Sequence, residues 1–354
     1  MSGFCPAIAY GSPVTSTRTR ILVAITATTL LSSALAACGG SNNAPTAATP
    51  VATTPTATPS LTPTAASGVS YLSGRPGTNG PVLALKLDNT ARSLPHIGLT
   101  DADVVYLQQV EGGLTRLAAI YSSTLPTRVA PIRSARETDA ELLPMYGPIA
   151  FGFSGSVARV HSLVTAAGLV DVSADKGGKG YARLSSRSAP YNEVATPSTL
   201  IARAKGSVPA RDVGFTFGAV PTGGTRATSV MLTYPSARIT MRYNSATKAW
   251  AYSLGGRVDT SSQGTVEAST VIVQSVRLTN TGRDDVAGNP VPKSRTIGSG
   301  KAVVFRDGRA WSVAWSRASV KAPTRWTYLG RDFPMKAGQV WVLLLDNRRG
   351  AKIS

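Results

Sequence analysis

The stretch from Gly39 to about Ser70 most limits what this chain can fold into. At its centre it reads "APTAATPVATTPTATPSLTPTAAS", built of Ala, Thr, Pro and Ser with no charged side chain. It has no apolar periodicity to pack, and its prolines favour extended, polyproline-like backbone. Any globular structure must therefore lie C-terminal to it. Upstream stands "TRTRILVAITATTLLSSALAAC", with Arg18 and Arg20, an uncharged run from Ile21 to Ala37, and then Cys38. A basic start followed by a short apolar run is the pattern of a signal peptide, too short and too rich in Ala, Thr and Ser for a comfortable membrane span.

The end of that run, Leu35-Ala36-Ala37-Cys38, resembles the lipobox of bacterial lipoproteins. The resemblance implies cleavage after residue 37, lipidation of Cys38, and a stalk over residues 38–70 that holds the folded part off the membrane on its extracytoplasmic face. Residues 1–17 carry no charge, which suggests a start downstream of Met1. Cleavage removes Cys5 and commits the sulfur of Cys38 to lipid, so the mature chain is expected to have no disulfide, no zinc-thiolate site and no cysteine nucleophile. It also removes Arg18 and Arg20, lowering the net charge from +19 to +17. A basic protein tethered outside the cell meets the membrane through its lipid, and anionic wall polymer, lipid headgroups or envelope proteins, rather than nucleic acid.

The 42% apolar content is enough to bury a core. The pattern predicts an α+β chain: an N-terminal α/β sandwich domain over residues 71–218, a linker over 219–228, a mainly antiparallel β domain over 229–346, and a tail over 347–354. In the first domain, "PVLALKLDN" (81–89) reads as a strand, and "ADVVYLQQV" with "TRLAAIYSS" reads as a hairpin about a Glu-Gly-Gly turn. A second helix over 156–168 is expected to end at Gly168. In the second domain, short apolar strands alternate with turns, and "RDGRA" (306–310) carries the Asp-Gly signature of a tight hairpin. Trp250, Trp311, Trp315, Trp326 and Trp341 are expected in its core rather than on a glycan platform, since Trp311 and Trp315 share a face of "RAWSVAW".

Several chemistries find no support. The two histidines, His96 and His161, belong to no metal-ligand spacing, so no metal is expected and both are read as structural. "DKGGKGY" (175–181) lacks P-loop spacing, and no cofactor is expected. "GFSGS" (152–156) fails the nucleophile-elbow pattern at Ser156, and no histidine follows His161 to complete a triad. It reads as a tight turn with Ser154 or Ser156 as N-cap, or less readily as a backbone anion site.

The most informative stretch is "APIRSARETDAELL" (130–143). Ser134 and Glu137 have capping-box spacing and predict a helix over 135–143. Arg133 then precedes the cap and Arg136 takes the second helical position, where the helix dipole disfavours a cation by about 0.3–1 kcal/mol. Two arginines placed there call for negative charge. The guanidinium fork binds carboxylate or phosphate bidentately. The expected site for an anionic group is Arg133, Ser134 and Arg136, with Asp88, Asn89, Glu111, Arg116 and Asn192 around it and the pair Arg183 and Arg187 nearby. The plain alternative is an internal arginine–carboxylate scaffold joining the hairpin to the helix. A further alternative is an envelope hydrolase or transferase with Asp88 and Glu111 as acid and base. Non-catalytic binding or scaffolding leads.

Five stretches carry a family resemblance: "GLTDADVVYLQQVEGGLTRLAAIY" (98–121), "APIRSAR" (130–136), "RLSSRSAPYNEV" (183–194), and "GSGKAVVFRDGRAWSVAW" with "GQVWVLLL" near the end. Together they resemble the YerB-like lipoproteins, a two-domain family of unknown function (domain of unknown function 3048), over residues 81–346. The resemblance implies an extracytoplasmic lipoprotein with no established activity. Histidines found in two turns of the family's first domain correspond here to Gly152 and Tyr191, so chemistry that needs them is not available to this chain.

Overall fold

The computed structural model describes residues 68–354. The expected signal peptide, Cys38 and nearly all of the stalk lie outside the described residues. In chain order the main elements are β1 (Leu83–Asn89), β2 (Val104–Gln109), β3 (Thr115–Tyr121), α1 (Glu137–Leu142), β4 (Ala150–Gly152), α2 (Ala158–Ala166), β5 (Val170–Asp171), β6 (Tyr181–Arg183), β7 (Glu193–Ala195) and α3 (Pro197–Arg203). They continue with β8 (Ser229–Tyr234), β9 (Ala237–Asn244), β10 (Ala249–Leu254), β11 (Thr270–Asp284), β12 (Pro290–Arg295), β13 (Gly298–Arg306), β14 (Arg309–Arg317), β15 (Arg325–Tyr328), β16 (Val340–Asp346) and β17 (Ala351–Ile353).

The fold is mainly β, with a mixed sheet of 13 strands as its central layer; the central order is β15-β14-β13-β11-β16-β2-β3-β1-β4-β5. β16 runs parallel to β2 on one side and to β11 on the other, and so weaves the N-terminal and C-terminal sequence segments into one sheet. The strands of the first segment thus do not close on themselves as a separate sandwich. The 219–228 stretch also takes part, with Arg226 and Thr225 pairing with β14. The expected tail forms β17, which pairs with β8 at the edge of a second, antiparallel sheet.

Strands covered on both faces should read as unbroken apolar runs, and β1, β3 and β16 are buried at every position. One face of the central sheet (Leu83, Leu85, Leu107, Leu117, Trp341 and Leu343) packs with Val230, Ile239, Met241 and Tyr252 of the second sheet. Tyr252 stacks on Trp341 with ring centroids 4.7 Å apart. The other face (Ala84, Tyr106, Ala118, Ile120 and Val342) packs with Leu142, Tyr146, Val160 and Val164 of the helical layer. All five tryptophans are buried, and Trp311 and Trp315 share the helix-side cluster.

The hairpin of β2 and β3 turns through a short 3-10 segment at 111–113, where Gly112 and Gly113 adopt positive φ. The Asp-Gly hairpin joins β13 to β14 with Asp307 and Gly308 both at positive φ, as a type I′ turn requires. α2 ends as expected, with Gly168 at φ +75° just past its cap. α1 is shorter than expected. Its N-cap is Arg136, not Ser134, because the Asp139 carboxylate accepts the Arg136 backbone N–H at 2.7 Å and performs the capping that Glu137 was expected to perform. Glu137 instead meets Arg159 and Arg283. In the turn at 152–156 neither serine caps α2, whose N-cap is Val157. Two of its amides are also occupied, Ser154 N–H by the Arg133 carbonyl and Gly155 N–H by Asp175, and so are not available to an anion.

Candidate functional site

Alternation along β1 decides which residues meet. Lys86 and Asp88 face the helical layer, together with Gln108 of β2 and Arg116 of β3, which stand opposite one another in register; Asp88 is also opposite Arg116. The loop 130–136 runs across the end of these strands, with Asp88 N–H donating to the Pro131 carbonyl and Arg133 N–H to the Lys86 carbonyl. That brings Arg133 and Arg136 over the strand ends.

Asp88 is fully buried and has Arg133 Nε at 2.9 Å and Arg116 Nη1 at 3.3 Å from its Oδ2. Its Oδ1 accepts the Thr90 hydroxyl at 2.6 Å. Glu111 is held by Arg136 Nε at 2.7 Å. Deeper in the same layer, Lys86 Nζ and Gln108 Nε2 each donate to Asp139 Oδ1 at 2.7 Å. Burial pulls the Lys86 amine down to about 8, against the attraction of Asp139. Burial likewise lowers the Arg116 guanidinium to about 10, with Asp88 pulling the other way and Arg136 and Arg133 adding to the depression.

Four cations, Lys86, Arg116, Arg133 and Arg136, thus share three carboxylates, Asp88, Glu111 and Asp139. The shortfall falls on Arg116. It is only 5% exposed, yet its Nε and Nη1 have no hydrogen-bond acceptor, the 3.3 Å approach to Asp88 being an ion pair without hydrogen-bond geometry. The Gln108 Oε1 opposite it is also unpartnered. A buried guanidinium with idle donors costs free energy until an acceptor arrives. Asp285, on the β11–β12 hairpin tip, is close enough to feel Arg136, but its carboxylate is held first by Asn289 and then by Ala287 N–H. A cleft of about 330 Å³ opens beside the site, lined by Val110 and Gly112, the neighbours of Glu111 in the chain, and by Asn289 and Pro290 of that hairpin.

The structure brings together Asp88, Arg116, Arg133, Arg136 and Glu111. It does not bring in the rest of the expected set. Asn89, one residue after Asp88, faces the second sheet, where it accepts the Tyr252 hydroxyl at 2.6 Å and donates to Thr115. Arg183 pairs with Asn192 and Glu193 on the small β6–β7 ribbon. Arg187 is spent on the carbonyls of Ser93 and Pro95. Ser134 comes near the turn at Gly155, where an added Cβ would stand 3.3 Å from its Oγ. Tyr191 joins the rim instead, with the Arg133 guanidinium 5.9 Å from its ring centroid and that of Arg92 at 5.6 Å.

Lys86, Gln108 and Asp139 are the members that sequence reasoning missed. The signal was present for Lys86, a lone cation in the apolar run "PVLALKLDN", two residues from Asp88 and hence on its face. The histidines are both held by carboxylates. His96 is buried with Nδ1 2.6 Å from Asp259 and Nε2 2.7 Å from the Asp88 carbonyl. His161 lies between Asp171 and Asp175 at 2.9 and 3.1 Å. No group of three metal-ligating side chains occurs among the described residues. No helix among them is long and apolar enough to cross a membrane.

The N-terminal domain model of DUF3048, a protein family of unknown function, matches residues 67–210, and its C-terminal domain model matches residues 230–342. The chain belongs to the DUF3048 family. A Bacillus subtilis (strain 168) protein named "Putative lipoprotein YerB" is 42% identical over 55 residues, which is 16% of this chain and 17% of YerB. The match therefore spans about a sixth of that relative's length. The crystal structure of the Bacillus subtilis YerB protein superposes with a TM-score of 0.68 over 81% of this chain and 99% of that one, at 18% identity, so the two share a fold.

Proposed function

We propose that this chain is a lipid-anchored protein of the extracytoplasmic membrane face that binds an anionic ligand or partner of the envelope without catalysing its reaction. The observation that carries this reading is Arg116, a buried guanidinium with two unpartnered N–H groups, set behind the more exposed Arg133 and Arg136. An arriving phosphate or carboxylate would find the donors that Asp88 and Glu111 leave unused. The lipidated anchor rests on the expected Cys38 lipobox and on the lipoprotein description of the Bacillus relative.

The acid/base alternative is less well supported. Asp88 has no exposed surface and Glu111 is 8% exposed, and both carboxylates are engaged by arginines rather than open to a substrate. Titrating the full chain with inorganic phosphate tests the binding reading. The Arg133→Ala/Arg136→Ala variant should lose at least about tenfold in affinity, equivalent to 1.4 kcal/mol. Unchanged affinity together with lowered thermal stability would favour the plain scaffold.

A further inference from the structure

We propose a second binding site, in the fork between β11 and β13, for an oligomeric oxyanion carried on a hydroxylated chain. It goes beyond the reading of the Arg116 site, with which it shares no residue. The fork arises because β11 changes partner. Up to Gln274 it pairs with β13, whereas from Arg277 onward it pairs with β12. β13 meanwhile stays with β14 as far as Gly298. The two strands therefore splay apart after Gln274 and Ala302, leaving a cleft of about 720 Å³, within the usual range of roughly 300–1,000 Å³ for ligand pockets.

The crotch of the fork is built, not frayed. The indole N–H of buried Trp315 donates to the Ser275 carbonyl at 3.0 Å, replacing the ladder bond lost where the strands part. Gly300 makes room for it, since a Cβ there would stand 2.7 Å from the indole nitrogen.

The walls carry Arg277 from β11, Arg295 from β12 and Lys301 from β13, and no carboxylate lines the cleft. Among the described residues neither Arg277 nor Lys301 has a carboxylate within ion-pair distance. Arg295 reaches Glu141 only at 3.8 Å, where Lys293 already sits at 2.9 Å. Three cations converging on a concave surface concentrate positive potential and attract an anion. The hydroxyls of Ser275, Thr279 and Ser299 and the amide of Asn347 complete the lining with groups that suit sugar or polyol hydroxyls. Arg277, Thr279 and Asn347 also line a neighbouring cleft that continues past Arg277 to Arg348, a residue paired with Asp346 at 2.7 Å, so the groove extends past the reach of one small anion. That continuity is why the ligand is assigned as an oligomer.

The test uses the full chain in nonionic detergent with three fluorescent probes: a glycerol phosphate oligomer, an oligogalacturonate and a neutral maltooligosaccharide. The first two distinguish a phosphate from a carboxylate source of the charge. At least one charged chain should bind saturably and weaken as salt is raised. Arg277→Ala/Lys301→Ala should reduce that binding more than tenfold, and Arg277→Lys/Lys301→Arg should retain it. Both altered side chains are exposed, so the melting temperature should stay at the wild-type value. Wild-type binding by the alanine variant, equal binding of the neutral chain, or no binding of either charged chain would overturn the proposal.

Discussion

Replacing Asp88 with Asn removes one charge and leaves the shape of the site almost untouched. In the native fold this carboxylate compensates Arg116 and Arg133 at 3.3 and 2.9 Å, with no exposure of its own. Deleting one partner of a buried ion pair costs about 3–5 kcal/mol, because the other charge stays buried. The Arg133 side chain is 26% exposed and can turn to water, while Arg116 cannot, so the lower end of the range, about 3 kcal/mol, is expected. At about 2–4 °C per kcal/mol for a unit of this size, the midpoint should fall by roughly 6–12 °C in a thermal melt of the full chain. Two further outcomes belong to the same reasoning. Adding Arg116→Met to Asp88→Asn should restore more than half of the loss, since the buried cation goes with its partner. Phosphate at ten times its dissociation constant for Asp88→Asn should stabilise that variant by about 1.4 kcal/mol, and the same concentration should stabilise wild type by less. A loss below about 1 kcal/mol in the single variant, or no recovery in the double, would refute the claim that Arg116 is a buried and under-compensated cation.

Other outcomes follow from the same geometry. Burial lowers Lys86 from 10.5 to about 8, so between those values the unfolded chain holds a proton that the folded chain has released. Stability relative to Lys86→Met should rise with pH through that window and be level below it, as paired urea titrations from pH 7 to 10.5 would show. Glu141→Gln should loosen the β12 arm, because Glu141 accepts Thr296 N–H at 2.7 Å and holds Lys293 at 2.9 Å; hydrogen exchange should quicken at residues 290–296 and not in β2. Gly214→Ala should cost about 3 kcal/mol or more in chemical denaturation, since the residue has φ +107° and a Cβ would overlap the Thr324 carbonyl oxygen.

What was legible in the sequence was local. The β2–β3 hairpin announced itself through two apolar runs about Glu-Gly-Gly, and the β13–β14 turn through Asp-Gly, because both depend on residues that are neighbours in the chain. The joining of the two segments was not legible. It rests on β16 pairing in parallel with β2, Val104 beside Val340, and no local pattern encodes a register between strands so far apart. The candidate site shows the same division. Arg133, Arg136, Asp88, Arg116 and Glu111 could be grouped from charge and strand ends. Asn89 was misplaced because adjacent strand residues face opposite layers, and its partner Tyr252 lies 163 residues away. Ser134 was misjudged as the cap because Asp139, two residues beyond the expected Glu137, competes for the same backbone and wins.

The most direct test of the central claim is the guanidinium resonance of Arg116 itself. Side-chain ¹⁵N spectra of the full chain, with Arg116→Lys used for assignment, would follow its Nε–H during titration with inorganic phosphate. The account predicts a saturable shift at Arg116 and Arg133 together, with the buried Arg317 resonance unmoved. An Arg116 resonance that stays fixed to the highest phosphate concentration, while exposed arginines drift with ionic strength, would contradict it.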